Sequence, residues 1–149
     1  MLWVKAPEEK LGKHKVITAP DQLGALATDA SYFRITPKAI VDIETPEDVT
    51  QLLAVCSQNN IGVTFRAAGT SLSGQAIGSG VLARVRGGYF KKCRVIDDGQ
   101  LIELGPAATG GQANHLLESY GRKIGPDPAT VNIANIGGII ANNSSGMCC

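Results

Sequence analysis

The stretch 37-PKAIVDIETPEDVTQLLAVCSQNNIGVTFRAAGTSLSG-74 predicts a strand, a helix, a second strand and a glycine-rich loop in direct succession. The first strand is expected at Ala39–Ile43 and the second at residues 61–65, IGVTF, because both runs are short and apolar. Between them, Thr45 is a favourable N-cap and Pro46 a favourable first helical residue. This spacing indicates a βαβ unit with parallel strands.

The helix of this unit is predicted to bury one face. Thr45 and Asp48 match a capping box in which Asp replaces the usual Glu, and the helix is expected to end near Asn59 and Asn60. Apolar residues recur at the i, i+3, i+4, i+7 spacing of a buried helical face. They are Val49, Leu52, Leu53 and Cys56.

Outside this unit, the first 35 residues show no regular pattern, apart from a short helix expected from Pro20 to about Ala27. A third strand is predicted at residues 81–85, VLARV. Residues 93–104, CRVIDDGQLIEL, predict an antiparallel hairpin that turns at Asp98 and Gly99.

A second helix is predicted after the hairpin, where Thr109 and Gln112 match a capping box and Gly121 is expected just past the end. Its inner face is expected to consist of Ala113, Leu116, Leu117 and Tyr120. A lone hairpin is only marginally stable in water, so this half is expected to begin an antiparallel subdomain whose other strands are absent. The expected class is α+β, a small parallel βαβ subdomain followed by the start of an antiparallel sheet subdomain, in a fragment of a longer protein.

Composition argues against several classes of protein. The chain has 14 basic and 13 acidic side chains, a formal charge of +1, and thus no global affinity for nucleic acid or anionic membrane. No apolar run approaches the roughly 20 residues needed to span a bilayer, and the first twenty residues lack the apolar core of a secretory signal. We expect a cytoplasmic protein, with a peripheral position on the inner membrane face as the alternative.

The four cysteines have no metal-ligand spacing, and no metal site is predicted. Cys56 is expected to pack in the core, and Cys93 is expected to be structural at the start of a strand. A redox or metal role is considered for the adjacent residues Cys148 and Cys149 but is not the favoured interpretation.

The glycine-rich loop, residues 66–76, follows the carboxyl end of a parallel strand, where ligands bind in open α/β sheets. Gly69 and Gly74 have the spacing of a Walker A loop. However, Gln75 and Ala76 replace the Lys that binds phosphate and the Ser or Thr that binds magnesium, which argues against an ATPase or kinase.

The sequence context argues against a dinucleotide-binding fingerprint as well. Gly78, Gly80 and Ala83 match G-x-G-x-x-A, but a predicted strand follows where this motif requires a helix.

Two interpretations of the loop remain. Its small residues allow consecutive amides to converge on a pyrophosphate, with hydroxyls of Thr70, Ser71 and Ser73 and the charge of Arg66 in support. Alternatively, the loop is a flexible surface segment without a ligand.

Three segments of the chain carry a family resemblance. Residues 64–76, TFRAAGTSLSGQA, resemble the pyrophosphate loop of the PCMH-type FAD-binding domain of the vanillyl-alcohol oxidase family. Residues 37–53 resemble the strand and helix that open this domain, and residues 125–149, GPDPATVNIANIGGIIANNSSGMCC, resemble its second FAD-contacting segment. The resemblance implies a partial FAD-binding domain at 36–149 after an N-terminal extension at 1–35.

The resemblance also implies a set of cofactor contacts. Loop residues would wrap the FAD pyrophosphate, mainly through backbone amides, and the later residues would line the flavin side. The implied set is Arg66, Ala67, Ala68, Gly69, Thr70, Ser71, Ser73, Gly74, Pro126, Asp127, Pro128, Ala129, Ile136, Gly137, Gly138, Ala141, Asn142 and Asn143. Since neither His14 nor His115 lies in the loop, FAD is expected to bind noncovalently.

Within the family, the tail looks most like dehydrogenases of D-2-hydroxy acids, such as D-lactate or D-2-hydroxyglutarate, that couple a flavin domain to a C-terminal iron–sulfur region. The resemblance implies oxidation to the 2-oxo acid, electron transfer to a quinone or cytochrome, and catalytic residues beyond this chain. The alternatives are an NADPH-dependent flavoprotein reductase of the same fold and an inactive FAD-binding module. The fragment is expected to be inactive alone and to self-associate through exposed Ile133, Ile136, Ile139 and Ile140.

Overall fold

The computed structural model describes residues 2–147, with only the backbone described for residues 2–4. Cys148 and Cys149, considered above for a redox or metal role, lie outside the described residues. The chain forms two compact units, of which one ends at Arg86 and the other begins at Gly87. The predicted α+β class is confirmed, since the first unit holds a mixed sheet and the second an antiparallel pair of strands.

The first unit contains a four-stranded sheet with the strand order β1-β2-β4-β3. Its elements are α1 (Leu2–Leu11), a 3₁₀ turn (Lys13–Lys15), β1 (Val16–Ile17), α2 (Pro20–Ala25), β2 (Ala39–Ile43), α3 (Pro46–Gln58), β3 (Val63–Arg66) and β4 (Val81–Val85). Strands β2 and β3 both run parallel to β4, whereas β1 is antiparallel to β2. The parallel βαβ unit is therefore confirmed.

Strand β4 lies between β2 and β3, although it comes last of the four strands in the sequence. Val81 is opposite Ala39 of β2 on one side and opposite Val63 of β3 on the other. The chain therefore leaves a gap between β2 and β3 that β4 fills. Val81, Leu82 and Ala83 are almost fully buried, consistent with a strand flanked on both sides.

Helix α3 begins at the predicted cap. The Thr45 hydroxyl accepts a hydrogen bond from the Asp48 amide (3.3 Å), and the Asp48 carboxylate accepts one from the Thr45 amide (3.2 Å). Leu52 and Cys56 are buried as predicted. The prediction for Leu53 is wrong, because it is 44% exposed.

Val55 takes the buried position instead of Leu53. The buried stripe passes through residues 48, 52, 55 and 56, so Leu53 points to the side of it. Burial also raises the pKa of the Cys56 thiol, as expected for a core cysteine.

Helix α1 was not anticipated from the sequence. Pro7 lies inside it and lowers its intrinsic propensity. The helix packs on α3, Pro7 is buried, and Leu11 joins the core cluster with Val41 and Leu52. Tertiary packing therefore stabilises a helix that local preference does not predict.

The second unit contains the predicted hairpin. Its elements are a 3₁₀ turn (Tyr89–Lys91), β5 (Cys93–Ile96), β6 (Leu101–Leu104), α4 (Gly110–Leu117), a 3₁₀ turn (Glu118–Tyr120) and α5 (Ile136–Ala141). Ile96 is opposite Leu101, and the turn between them contains Asp97, Asp98 and Gly99, all with positive φ.

Helix α4 has the predicted capping box of Thr109 and Gln112, and Gly121 follows with a φ of 62°. Its inner face is only partly as predicted, because Leu116 and Tyr120 are 40% and 43% exposed. Ala113 and Leu117 are buried as predicted, and the α-helix ends at Leu117 and continues as a tighter 3₁₀ turn.

Helix α5 lies in the tail and supplies part of the core of the second unit. Ile136 and Ile139 pack with Ala108 and Ala134 and are 7% and 3% exposed, so their predicted exposure is wrong. Ile133 and Ile140 are exposed, as expected.

Candidate cofactor site

The glycine-rich loop leaves the carboxyl end of β3 and leads into β4. Gly69 and Gly74 adopt φ values of 73° and 75°, a region that glycine occupies without strain. A Cβ on Gly69 would lie 2.7 Å from Cζ of Arg66, and one on Gly74 would lie 3.0 Å from Cδ2 of Phe33. Both positions therefore favour glycine for conformation and for space.

The loop presents a row of unpaired amides. Within residues 2–147, the backbone N–H groups of residues 67–72 donate no hydrogen bond to another described group. A half-buried backbone amide normally has a hydrogen-bond partner. Consecutive amides without one, on a half-exposed loop, form the kind of nest that binds an anion.

Ser71 fixes the second half of the loop. Its hydroxyl donates to Oε1 of Gln75 (2.7 Å) and accepts from the amides of Ser73 (3.2 Å) and Gln75 (3.3 Å). The Ser71 hydroxyl is thus engaged in shaping the loop. Within the described residues, the hydroxyls of Thr70 and Ser73 form no hydrogen bond and are available to a ligand.

Arg66 lies at the base of the loop and is only 8% exposed. Its Nη1 donates to the carbonyls of Thr28 (2.9 Å) and Ala76 (3.1 Å), with a longer contact to Leu26 (3.5 Å). Burial lowers the pKa of the guanidinium, an effect that Asp29 opposes. The group stays charged at neutral pH and brings its positive charge beneath Gly69.

Residues 26–31, which we call the clasp segment, were not predicted to belong to the site. The Ala30 amide donates to the Gly69 carbonyl (3.2 Å), and the Ala76 amide donates to Oδ2 of Asp29 (3.3 Å). The one sequence signal was the Asp-x-Ser spacing of residues 29–31, which is typical of a local turn.

The tail residues implied as flavin contacts lie in the second unit. Pro126 and Ala129 are exposed, Pro128 is buried, and half-buried Asp127 lies 3.6 Å from Nζ of Lys123. Hence the segment 126–129 combines exposed positions with one buried anchor.

The glycine-rich part of the tail is shaped by the protein's own packing. The Ile136 side chain lies in the core, and a Cβ on Gly137 would lie 2.9 Å from Cβ of Pro106. The Gly137 amide also donates to the Pro106 carbonyl (3.0 Å). The remaining implied contacts in this segment are exposed; they are Gly138, Ala141, Asn142 and Asn143.

Within residues 2–147, no group of three or more His, Cys, Asp or Glu side chains could hold a metal ion. Nor does any helix in that range combine the length and hydropathy that crossing a membrane requires.

A family model described as an FAD binding domain matches residues 37–149. The chain therefore belongs to this family of FAD-binding domains. The PCMH-type domain that the loop and tail motifs predicted is confirmed. The match begins after the clasp segment.

Curated relatives include enzymes named for hydroxy acids. The chain is 31% identical over 122 residues to the glycolate oxidase subunit GlcD of Escherichia coli strain K12, covering 80% of this chain and 24% of the relative. The D-lactate dehydrogenase of Anaerostipes hadrus is 30% identical, with 79% and 25% covered. The D-2-hydroxyglutarate dehydrogenase of E. coli strain K12 is 24% identical, with 82% and 12% covered. The chain thus spans a quarter or less of these relatives.

Solved structures share the fold at lower identity. p-Cresol methylhydroxylase with substrate bound superposes with a TM-score of 0.75 at 19% identity, over 97% of this chain and 30% of the other. Alkyldihydroxyacetonephosphate synthase gives 0.75 at 17% identity over 97% and 29%. The wild-type BBE-like 1 protein of Physcomitrella patens gives 0.69 at 17% identity, over 89% and 30%.

Proposed function

We propose that this chain is the FAD-binding part of a flavin-dependent dehydrogenase that oxidises a D-2-hydroxy acid, such as D-lactate, to the 2-oxo acid. Membership of the FAD-binding family supports the cofactor. Relatives named for glycolate, D-lactate and D-2-hydroxyglutarate support the substrate class. Because the chain spans a quarter or less of these relatives, the reaction is proposed for the whole protein and not for the chain alone.

The observation that carries the proposal is the row of amides at residues 67–72, which donate to no other group in the described part of the chain. A pyrophosphate offers several oxygens that accept hydrogen bonds, and the loop offers consecutive donors on small residues. Thr70 and Ser73 add hydroxyl donors. Each hydrogen bond to a charged group contributes about 1.5–3 kcal/mol, so the loop needs neither a lysine nor a metal ion to hold a diphosphate.

Bound FAD would supply the acceptor for the hydride that leaves the Cα of the hydroxy acid. The residues of this chain would bind and orient the cofactor: those of the loop at the pyrophosphate, and those at 126–129 and 136–143 at the flavin side. The loop contains no His, Cys or Tyr, which supports noncovalent binding. The base that takes the hydroxyl proton is proposed to lie elsewhere in the whole protein.

The electron acceptor and any further cofactor of the whole protein are inferred from the family resemblance alone. We propose a quinone or a cytochrome as the electron acceptor, and an iron–sulfur cluster in the remaining region of the whole protein.

A titration of the purified chain with FAD tests the cofactor assignment, with FMN, ADP and ATP as comparison ligands. FAD is expected to raise the melting temperature, because a ligand at 100 times its Kd stabilises the folded state by about 2.7 kcal/mol. ADP, which carries the diphosphate bridge, should bind more weakly, and FMN, which lacks it, should give little stabilisation. If FAD stabilised neither this chain nor the full-length protein, the proposal would be wrong.

Substrate turnover separates the reaction from its alternatives. D-lactate or D-2-hydroxyglutarate is expected to bleach flavin absorbance in the full-length protein. Bleaching by NADPH alone would indicate a reductase, and bleaching by neither would indicate a cofactor-binding module.

A further inference from the structure

Both ends of the glycine-rich loop are tied to the clasp segment, residues 26–31. At the start of the loop, the Gly69 carbonyl accepts from the Ala30 amide. At its end, the Ala76 amide donates to the carboxylate of Asp29, and the Ala76 carbonyl accepts from Arg66. The loop is thus closed by a segment about forty residues earlier in the chain, in line with the sequence separation of 40 between Arg66 and Leu26.

Asp29 is the centre of this arrangement. Its Oδ1 accepts from the amide (2.9 Å) and the hydroxyl (2.5 Å) of Ser31, and its Oδ2 accepts from the Ala76 amide (3.3 Å). One carboxylate therefore fixes the clasp segment internally and binds it to the far end of the loop.

Electrostatics keeps this carboxylate ionised. Burial alone would raise the pKa of Asp29, but hydrogen bonds from Ser31 and Ala76 and the charge of Arg66 lower it below its ordinary value. The positive charge of Arg66 also offsets the repulsion between the Asp29 carboxylate and a bound anion.

We propose that Asp29 is a positioning residue of the cofactor site. Its carboxylate binds the clasp segment to the far end of the loop, while the Ala30 amide of the same segment binds the Gly69 carbonyl, so that the amides of residues 67–72 already converge before the pyrophosphate binds. Preorganisation of this kind raises affinity because the ordering cost is met on folding and not on binding. The inference rests on the proposed function and extends the site to residues before position 37, where the family match begins.

Two variants test this role. Asp29→Asn keeps the shape but leaves only one acceptor oxygen, and Ser31→Ala removes one bond to the carboxylate without touching the loop. The matched control is Asp21→Asn, an exposed aspartate on α2. Kd values are measured for FAD, ADP and riboflavin on the full chain, and amide ¹⁵N order parameters are measured for the ligand-free chain at residues 67–76.

For Asp29→Asn, affinity for FAD and ADP is expected to fall about 10-fold to 100-fold, as for the loss of a hydrogen bond to a charged group. Riboflavin, which has no phosphate, should bind as before. Order parameters of the loop should drop from about 0.85 toward 0.6, with a smaller drop for Ser31→Ala. A purely structural role would affect all three ligands alike.

The outcomes separate the two proposals. If the wild type binds FAD and Asp29→Asn has the same affinity for FAD and the same loop order parameters, the role of Asp29 is overturned and the proposed function stays intact. Failure of the wild-type chain and the full-length protein to bind FAD or ADP would overturn the proposed function and this inference with it.

Discussion

Gly69 combines two constraints, and its contact is closer than the one at Gly74, the other loop glycine with a positive φ. Its φ of 73° is unfavourable for a side chain, and the space where a Cβ would project is filled by the guanidinium of Arg66. Gly69→Ala is therefore expected to lower the free energy of unfolding by about 1–3 kcal/mol and to weaken FAD binding. Urea denaturation and FAD titration measure the two effects.

Gly62→Ala is the matched control for this substitution. Gly62 lies just before β3, and a Cβ there would meet no atom within 4 Å. Its unfolding free energy should stay within about 0.5 kcal/mol of the wild type. Equal effects at the two glycines would contradict the special role of Gly69.

Arg66 provides a second test at this scale. Arg66→Met keeps an unbranched apolar stem but removes the guanidinium that donates to the carbonyls of Thr28 and Ala76. We expect a loss of about 2–4 kcal/mol in unfolding free energy, measured by urea denaturation. Exposed Arg86→Met is the control and should change stability little; a similar loss in both variants would point to the charge alone.

Sequence reasoning found Arg66 but not its partners. An arginine beside a glycine-rich loop predicts a charge for phosphate, and its contact with a ligand remains a prediction. Its observed acceptors on Leu26 and Thr28 lie 40 and 38 residues earlier, and a local pattern carries no information about them. For the same reason the clasp segment was missed.

At the scale of elements, local signals predicted what local interactions control. Both capping boxes, at Thr45 and Thr109, form as expected because all their partners lie within three residues. The predictions for Leu53, Leu116 and Tyr120 were wrong about burial. The elements that pack against a helix determine which of its residues are buried, and the helix sequence alone does not show this. Helix α1 was missed because packing, not propensity, stabilises it.

The cap of α3 is also an ion pair with a defined pH response. The Asp48 carboxylate accepts from Nζ of Lys15 (2.7 Å), and both side chains are largely buried. Burial alone would raise the pKa of Asp48, but the hydrogen bond from Lys15 and those from the amides of Glu44 and Thr45 lower it below 3.8. Hydrogen bonding to Asp48 raises the pKa of Lys15 above 10.5, against the effect of burial.

The pKa of Asp48 is lower in the folded protein than in the unfolded chain. The carboxylate therefore contributes fully to stability above its unfolded pKa, and this contribution is lost as the pH falls through the folded pKa. Unfolding free energy is thus expected to decline below about pH 3.8. Asp48→Asn should be about 1–3 kcal/mol less stable at pH 7 and should show a weaker acid decline. Chemical denaturation from pH 2 to pH 7 measures both, with Asp21→Asn as the control; parallel curves for wild type and Asp48→Asn would refute the assignment.

For the whole molecule, the expectation of self-association rests on a smaller apolar surface than the sequence suggested. Only Ile133 and Ile140 of the four tail isoleucines are exposed, at 59% and 72%. We expect the sedimentation coefficient of the chain to rise with concentration, and Ile140→Ser to reduce this rise with little change in melting temperature.

Leu101→Ser is the control, since Leu101 is also 59% exposed but lies on β6. A concentration-independent coefficient in the wild type would exclude self-association. An equal reduction by both variants would show general stickiness and not a tail interface.

The sequence was sufficient for the parallel direction of β2 and β3 but not for the order of strands in the sheet. A helix between two strands predicts that they are parallel, yet the crossover does not say which strand fills the gap. The pairing of β1 with β2 and of β4 with both β2 and β3 depends on contacts between distant residues.

The position of β4 between β2 and β3 has a consequence for the order of folding during synthesis. Strands β2 and β3 leave the ribosome first, but neither has its parallel partner until residues 81–85 are made. The glycine-rich loop connects β3 to that late strand, so until β4 inserts its far end is held only by its contacts with Asp29 and Arg66. We therefore expect the nascent chain to form the parallel part of its sheet only after residues 81–85 have been made, and a ribosome-bound chain that stops before residue 81 to lack it.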